Sequence, residues 1–409
     1  MFRKLRISKL LPFITFCAIA SLCTITALAQ DSLAEFHGIL RERLAFEETD
    51  FTALQQGQTV VKLLPVENKR EVAVSGLVKV QVPAEVFLQS FRESMSQKGN
   101  PAILEIGSFS SQPTLDDLKG FTIEDRDIED LKKCVIGDCQ LKLSAMMIER
   151  LHKEVDWEAP DHRIQATQLL KAMLVNYVRD YLDRGDVALI EYRDKANEVR
   201  LAEEQHSLLA ASSYINDVLP EFPKYLNGFP KSKVSAVENW IVWSKIKFGL
   251  KPVFAINHIT IYKTGKETGA QIVIASKQIY ADHYFNSSLG LTAFVNISGA
   301  SPESFLLYEN RSRADGLEGM FSKLKRGIVE DRAVDGLKGI LEQSRANLNA
   351  RVISRTESAT PAVGGRNWKR WAAGGGRLFL ALFLITAFVA WLALSNHNWK
   401  GVANRGAHD

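Results

Sequence analysis

Cysteine is scarce in this chain. Its 409 residues contain four, and two of those, Cys17 and Cys23, fall within the first 29. The remaining pair, Cys134 and Cys139, allows one bridge at most, so the fold must rest on a packed core rather than on covalent staples. Signature motifs are missing as well. There is no Gly-x-Gly-x-x-Gly, Gly-x-Ser-x-Gly or His-Glu-x-x-His and no phosphate loop, which removes the common dinucleotide, α/β-hydrolase and zincin readings. A basic patch interleaved with aromatics is also absent, which argues against nucleic acid as a partner.

What is present suffices for a sizeable core. Apolar residues make up 46% and charged residues 24%, a balance that excludes disordered and low-complexity chains. The formal net charge of +4 is a statement about the ends. Residues 1–29 carry four basic side chains (Arg3, Lys4, Arg6, Lys9) and no acid, and residues 366–409 carry six against Asp409 alone. Between them, residues 30–365 hold 41 basic and 46 acidic side chains, a mildly acidic body.

Met1 to Ala29 has a basic start, an apolar stretch from Leu10 to Ile25 and the small-residue triplet Ala27-Leu28-Ala29, the layout of a cleavable signal peptide over residues 1–29. An uncleaved anchor helix is the competing reading, because the apolar run approaches the ~20 residues that span a bilayer. Leu22 before Cys23 is too bulky for a lipoprotein processing site. Leu378 to Leu394 is an uncharged apolar run with Trp368 and Trp371 before it and Trp399 after it, predicting a transmembrane helix over 377–395 with a short tail at 396–409. Lys369, Arg370 and Arg377 precede the span and only Lys400 and Arg405 follow it, which opposes the positive-inside bias. The N-terminal signal is expected to dominate, giving a single-pass cell-membrane protein whose bulk is extracytoplasmic, periplasmic or extracellular. Export favours a disulfide between Cys134 and Cys139 across the Gly137-Asp138 turn, with a metal or redox pair as the alternative.

Along the body, residues 30–57 read as an N-terminal helix. Gln58–Leu64 and Glu71–Val82 read as a strand pair with a polar turn between them, and Pro83 opens a helix whose Phe87, Phe91 and Met95 fall four apart. Residues 58–115 thus form the first part of an α+β domain. A helical insertion is expected over 116–249, including a helix at Val234 to Phe248, with an aromatic, proline-punctuated loop around Tyr225. Residues 250–350 return to a period of two through Val253–Tyr262, Gln271–Ala281, Leu289–Ser298 and Ser304–Tyr308, then end in a long helix from Gly316 to Leu348. Residues 351–376 read as a flexible tether.

Candidate chemistry is sparse. Ser244-Lys-Ile-Lys247, Ser322-Lys-Leu-Lys325 and Lys263-Thr264-Gly265 match pieces of the penicillin-binding acyl-transferase pattern. Their order and spacing are wrong for it, and Lys263–Gly265 reads as a hairpin turn. The densest polar cluster is Ser276 to Phe285. Ideal alternation puts Ser276, Gln278, Tyr280 and Asp282 on one face and Lys277, Ile279, Ala281 and His283 on the other. Lys277, Tyr280, Asp282, His283, Tyr284 and, from the preceding strand, His258 are the candidate ligand-binding residues. An exposed strand face with a satisfied His283 competes with that reading. A metal at the two histidines and Asp282 is conceivable, but zinc needs three protein ligands in a defined geometry that a sequence does not show, so neither a metal, a cofactor nor a catalytic set is assigned. Arg311, Arg313 and Asp315 read as an ion-pair cluster capping the loop before the last helix. Asn286-Ser-Ser and Asn296-Ile-Ser fit the glycosylation pattern.

The element order, with the stretch Val82-Pro83-Ala84-Glu85-Val86-Phe87, resembles the START-like helix-grip (SRPBCC-type) domains over residues 58–110 and 250–348. That resemblance implies an α+β fold in which an antiparallel curved sheet packs on a long C-terminal helix and encloses an apolar cavity for lipids or other hydrophobic ligands. The helical insertion departs from the family. The leading expectation is a membrane-anchored extracytoplasmic module binding a lipid or other apolar small molecule. An envelope protein-interaction scaffold is the alternative, and a hydrolase-like enzyme using His258, Asp282 and His283 the third.

Overall fold

A computed structural model describes residues 33–95, 102–266, 269–297, 303–317 and 322–359. The expected signal peptide, transmembrane helix and tail, and most of the expected tether, lie outside the described residues. Among the described residues no helix is long and apolar enough to cross a membrane.

The protein is α+β, built on one large antiparallel sheet with a long C-terminal helix. The strands are β1 (Val60–Leu63), β2 (Glu71–Val80), β3 (Ile103–Phe109), β6 (Val237–Ile246), β7 (Val253–Lys263), β8 (Gly269–Ala281), β9 (Phe285–Ile297) and β10 (Glu303–Ala314). Their spatial order is β1-β2-β10-β9-β8-β7-β6-β3. The chain therefore closes early strand on late strand: β2 lies beside β10, with Leu77 opposite Leu307, and β3 reaches the far edge by pairing with β6. A separate ribbon joins β4 (Glu191–Tyr192) to β5 (Val199–Arg200).

Helices cover both faces, so the central strands are buried on both sides and read as nearly continuous apolar runs. On one face lie α3 (Ala84–Ser94) and α10 (Ser322–Ala359). Phe87 and Phe91 of α3, with the inward stripe Ala333, Leu337, Ile340, Leu341 and Leu348 of α10, pack on Val74, Val78, Ile259, Ile274, Phe294 and Leu306. Each such fully buried side chain contributes on the order of 1.5–3 kcal/mol. Gly76 on β2 lets α10 settle directly onto the sheet: a Cβ there would stand 2.5 Å from Leu341 Cδ1 and 3.0 Å from Leu337 Cδ2.

The opposite face carries two groups of helices. α1 (33–44), α2 (Glu48–Gln55), α7 (Leu201–Ala211), α8 (Tyr214–Val218) and α9 (Glu221–Gly228) pack over β2, β10 and β9. α4 (Asp125–Lys133), α5 (Ala145–Glu154) and α6 (His162–Arg184) pack where Trp243, Phe254, Ile256 and Tyr280 emerge from β6, β7 and β8. Cys134 and Cys139 stand at disulfide distance at the end of α4, with Cα atoms 4.4 Å apart.

Several elements differ from the sequence reading. Val234–Phe248 is not a helix. Its core is strand β6, whose second half is buried on both faces and so shows no alternation to betray it. The N-terminal segment is two helices, broken at Ala45, whose φ is +59°. Within the expected helical insertion, Gly185–Ala188 is a short 3-10 turn and Glu191–Tyr192 is strand β4. The long helix starts at Ser322 and runs on to Ala359, into the segment expected to be a tether. β10 continues past Tyr308 to Ala314, so Arg311 and Arg313 are strand residues rather than loop caps. They are nonetheless an ion-pair cluster: Arg311 bridges Glu71 and Glu309, and Arg313 bridges Glu71 and Glu204 of α7.

Candidate functional site

The six residues singled out in the sequence fall in two places. His258 and Lys277 face each other across β7 and β8, on the side of the sheet covered by α6. Lys277 is buried and ion-paired with Asp186. Burial pushes its ammonium below the ordinary lysine range, and Asp186 opposes that shift. His258 Nδ1 accepts from the Tyr181 hydroxyl at 2.8 Å and its Nε2 donates to Asn239 Oδ1 at 2.8 Å. Burial, with the nearby charge of Lys277, pushes this imidazole down to about 3. Both side chains are consumed by internal partners and hold α6 to the sheet.

The other four lie at the end of β8. A bulge at Ile279 interrupts the pairing between Ile256–Tyr280 and Asn257–Gln278, so Ile279 and Tyr280 enter the same apolar cluster. The expected face of Ser276, Gln278, Tyr280 and Asp282 is thereby split. The Tyr280 hydroxyl donates to the Lys142 carbonyl at 3.2 Å. Asp282 Oδ1 accepts the Phe254 N–H at 2.9 Å, and burial pushes its carboxyl up to about 6. His283 Nδ1 donates to the Gln140 carbonyl at 3.1 Å, and its Nε2 stands 3.3 Å from Asp127 Oδ2. Burial opposes its charge, but Asp282 and Asp127 outweigh burial and raise the imidazole above its usual range. Tyr284, at φ +60°, accepts the Lys251 N–H on its hydroxyl. Lys251 Nζ bridges Asp127 Oδ1 at 2.7 Å and Asp130 Oδ2 at 2.6 Å. For Asp127, hydrogen bonds from His283 and Lys251 overcome the upward push of burial and hold the carboxyl below the ordinary range. A cavity of about 10 Å³ touches Asp127, Asp282, Glu124 and Lys245.

His283 lies six residues along β8 and its turn from Lys277, the partner of His258, a separation of roughly 15–20 Å at strand rise. One site cannot use both histidines. Asp127 was hidden in the acidic run Glu124–Asp130, which reads as solvated surface until the fold buries it.

A third locus emerges on the sheet face that carries α3 and α10. Asn257, Ser276, Gln278 and Tyr308 are 4%, 7%, 2% and 1% exposed, in line with the apolar Ile259, Ile272, Ile274 and Leu306 of the same strands. Asn257 Oδ1, Ser276 Oγ, Gln278 Nε2 and the Tyr308 hydroxyl have no hydrogen-bond partner. Asn310 stands beside Tyr308 and tempers the rise that burial imposes on the phenol, without closing a hydrogen bond. Register gathers the four: Asn257 pairs with Gln278, Ser276 pairs with Gly290, and a Cβ on Gly290 would meet the Tyr308 hydroxyl at 2.9 Å and Ser276 Cβ at 3.7 Å. Gly290 is thus the position where the sheet makes room for two polar side chains. Ser344, on the inward stripe of α10, is fully buried and its hydroxyl is also unpartnered. Leaving a buried polar atom unsatisfied costs on the order of 1–3 kcal/mol, so a group of them marks a place where something other than protein is to be bound.

No protein-family model matches the chain, and no curated protein or solved structure is significantly similar to it.

Proposed function

We propose that this chain is a helix-grip-like binding module that holds an amphipathic small molecule, of lipid kind, on the sheet face that carries α3 and α10. The observation that carries the reading is the group of unpartnered polar atoms on Asn257, Ser276, Gln278 and Tyr308, set in an otherwise apolar layer. Isoleucine, valine and phenylalanine side chains suit the body of such a ligand, and the four polar groups suit its head. The resemblance to helix-grip domains rests on element order: β2 beside β10, β3 at the far edge beside β6, and the last helix across the same face as α3. The apolar ends of the chain support an exported module tied to the membrane, which would place this layer beside a lipid source.

Native mass spectrometry of the full-length chain, extracted from membranes in a mild detergent, tests the reading. The wild type should carry one small molecule per chain, and the Ser276→Ala/Gln278→Leu variant, still folded, should lose it. A ligand-free wild type that also takes up no fluorescent phospholipid would contradict the proposal.

A further inference from the structure

The polar cluster at the start of β7 and the end of β8 is separate from that layer and is built differently from the molecule's other ion pairs. We infer that Asp127, Asp282 and His283 form a binding site for a single divalent transition-metal ion of the zinc kind. The donor atoms of these three side chains lie within 4.8 Å of one another, close enough for side-chain adjustment to bring them to the ~2.0–2.2 Å of zinc–nitrogen and zinc–oxygen bonds. His283 is already oriented for the task. Its Nδ1 hydrogen is committed to the Gln140 carbonyl, which turns Nε2 toward the carboxylates, as in metal sites where an outer partner fixes the imidazole.

Each carboxylate has one oxygen held by a protein donor. Lys251 holds Asp127 Oδ1, leaving Oδ2 toward His283, and the Phe254 N–H holds Asp282 Oδ1. The cavity of about 10 Å³ borders both, which is room for one ion or one water. Charge favours the ion. Five carboxylates, Asp127, Asp130, Asp282, Glu105 and Glu124, surround two ammonium groups, Lys245 and Lys251, and a dication offsets the excess. One imidazole nitrogen with two carboxylate oxygens suits zinc and its neighbours better than calcium or magnesium, which prefer all-oxygen shells. The scaffold is stiff, since Lys142 N–H ties the disulfide-side loop to the Asp282 carbonyl at 2.8 Å. Three protein ligands leave a fourth position toward the cavity.

The competing arrangement is a permanent ion pair between protonated His283 and Asp127, with no metal. Calorimetric titration of the chelator-stripped full-length chain with Zn²⁺ at pH 7.5 separates the two, with Co²⁺ absorption as a second readout of nitrogen and oxygen ligation. The inference expects one site per chain, a thermal midpoint raised by zinc, and at least a hundredfold weaker binding in His283→Gln and Asp282→Asn. The Asp282→Asn variant keeps an acceptor for the Phe254 N–H, so it should remain folded and report on the metal alone. Absence of stoichiometric zinc binding by the wild type, or binding that survives both substitutions unchanged, would overturn it.

Discussion

Tyr308→Phe should stabilise the ligand-free protein. Tyr308 is 1% exposed and its hydroxyl has no partner, so in the absence of a ligand the folded state carries an uncompensated desolvation cost of roughly 1–3 kcal/mol that the unfolded chain does not. Deleting the oxygen removes that cost and leaves a void smaller than a methyl group. The net expected gain is about 1 kcal/mol, or about 1–2 °C in thermal midpoint for a body of this size. Gly290→Ala supplies an internal control. Its Cβ would stand 2.9 Å from the Tyr308 hydroxyl and 3.6 Å from Cζ, so in the wild type it should cost on the order of 1–3 kcal/mol through overpacking. In the Tyr308→Phe background most of that clash is gone, and a double-mutant cycle should give a coupling of about 1 kcal/mol. Calorimetric unfolding of delipidated full-length chains reads all four corners of the cycle. A Tyr308→Phe variant destabilised by more than about 1 kcal/mol would refute the reasoning, because the hydroxyl would then have to be satisfied within the protein.

Other perturbations test the framework. His258 is neutral and buried, with its folded-state pKa at about 3 against an ordinary value of 6.5. Above pH 6.5 it has no effect; below, the unfolded chain takes up the proton first, and stability falls by about 1.4 kcal/mol per pH unit until about pH 3. A His258→Asn variant should flatten that limb in an acid titration followed by near-ultraviolet circular dichroism. Glu71→Gln removes the carboxylate shared by the buried guanidinium groups of Arg311 and Arg313, which keep Glu309 and Glu204, and should cost about 1.5–3 kcal/mol in urea unfolding. Gly76→Ala drives a methyl into Leu337 and Leu341, so it should loosen α10 and raise amide exchange along that helix, at a cost of about 1–3 kcal/mol.

Much of the sheet was legible because β2, β7 and β8 are long runs rich in β-branched residues bounded by turn residues, and because α3 announces itself through Pro83 and the Phe87–Phe91 spacing. β6 was not, since Ile241 to Ile246 are buried on both faces and a run without alternation resembles a buried helix segment. Ser276 and Gln278 do share a face, as alternation requires. The bulge at Ile279 then moves Tyr280 and Asp282 to the other side, and a bulge depends on the partner strand, which local sequence does not reveal. The same nonlocality hid the group of unpartnered polar atoms on the face that carries α3 and α10. Asn257 and Tyr308 join Ser276 and Gln278 only through the register of four strands, and Asp127 joins His283 only because α4 folds over the end of β8.

The central claim is that the sheet face carrying α3 and α10 holds a small molecule. An experimental structure of the membrane-extracted chain at a resolution that shows ordered water tests it most directly, in the density beside Gly290. The claim predicts continuous non-protein density longer than a water molecule, within hydrogen-bond reach of Ser276 Oγ, Gln278 Nε2 and the Tyr308 hydroxyl. Isolated waters on those atoms, or side chains turned to satisfy one another, would contradict it.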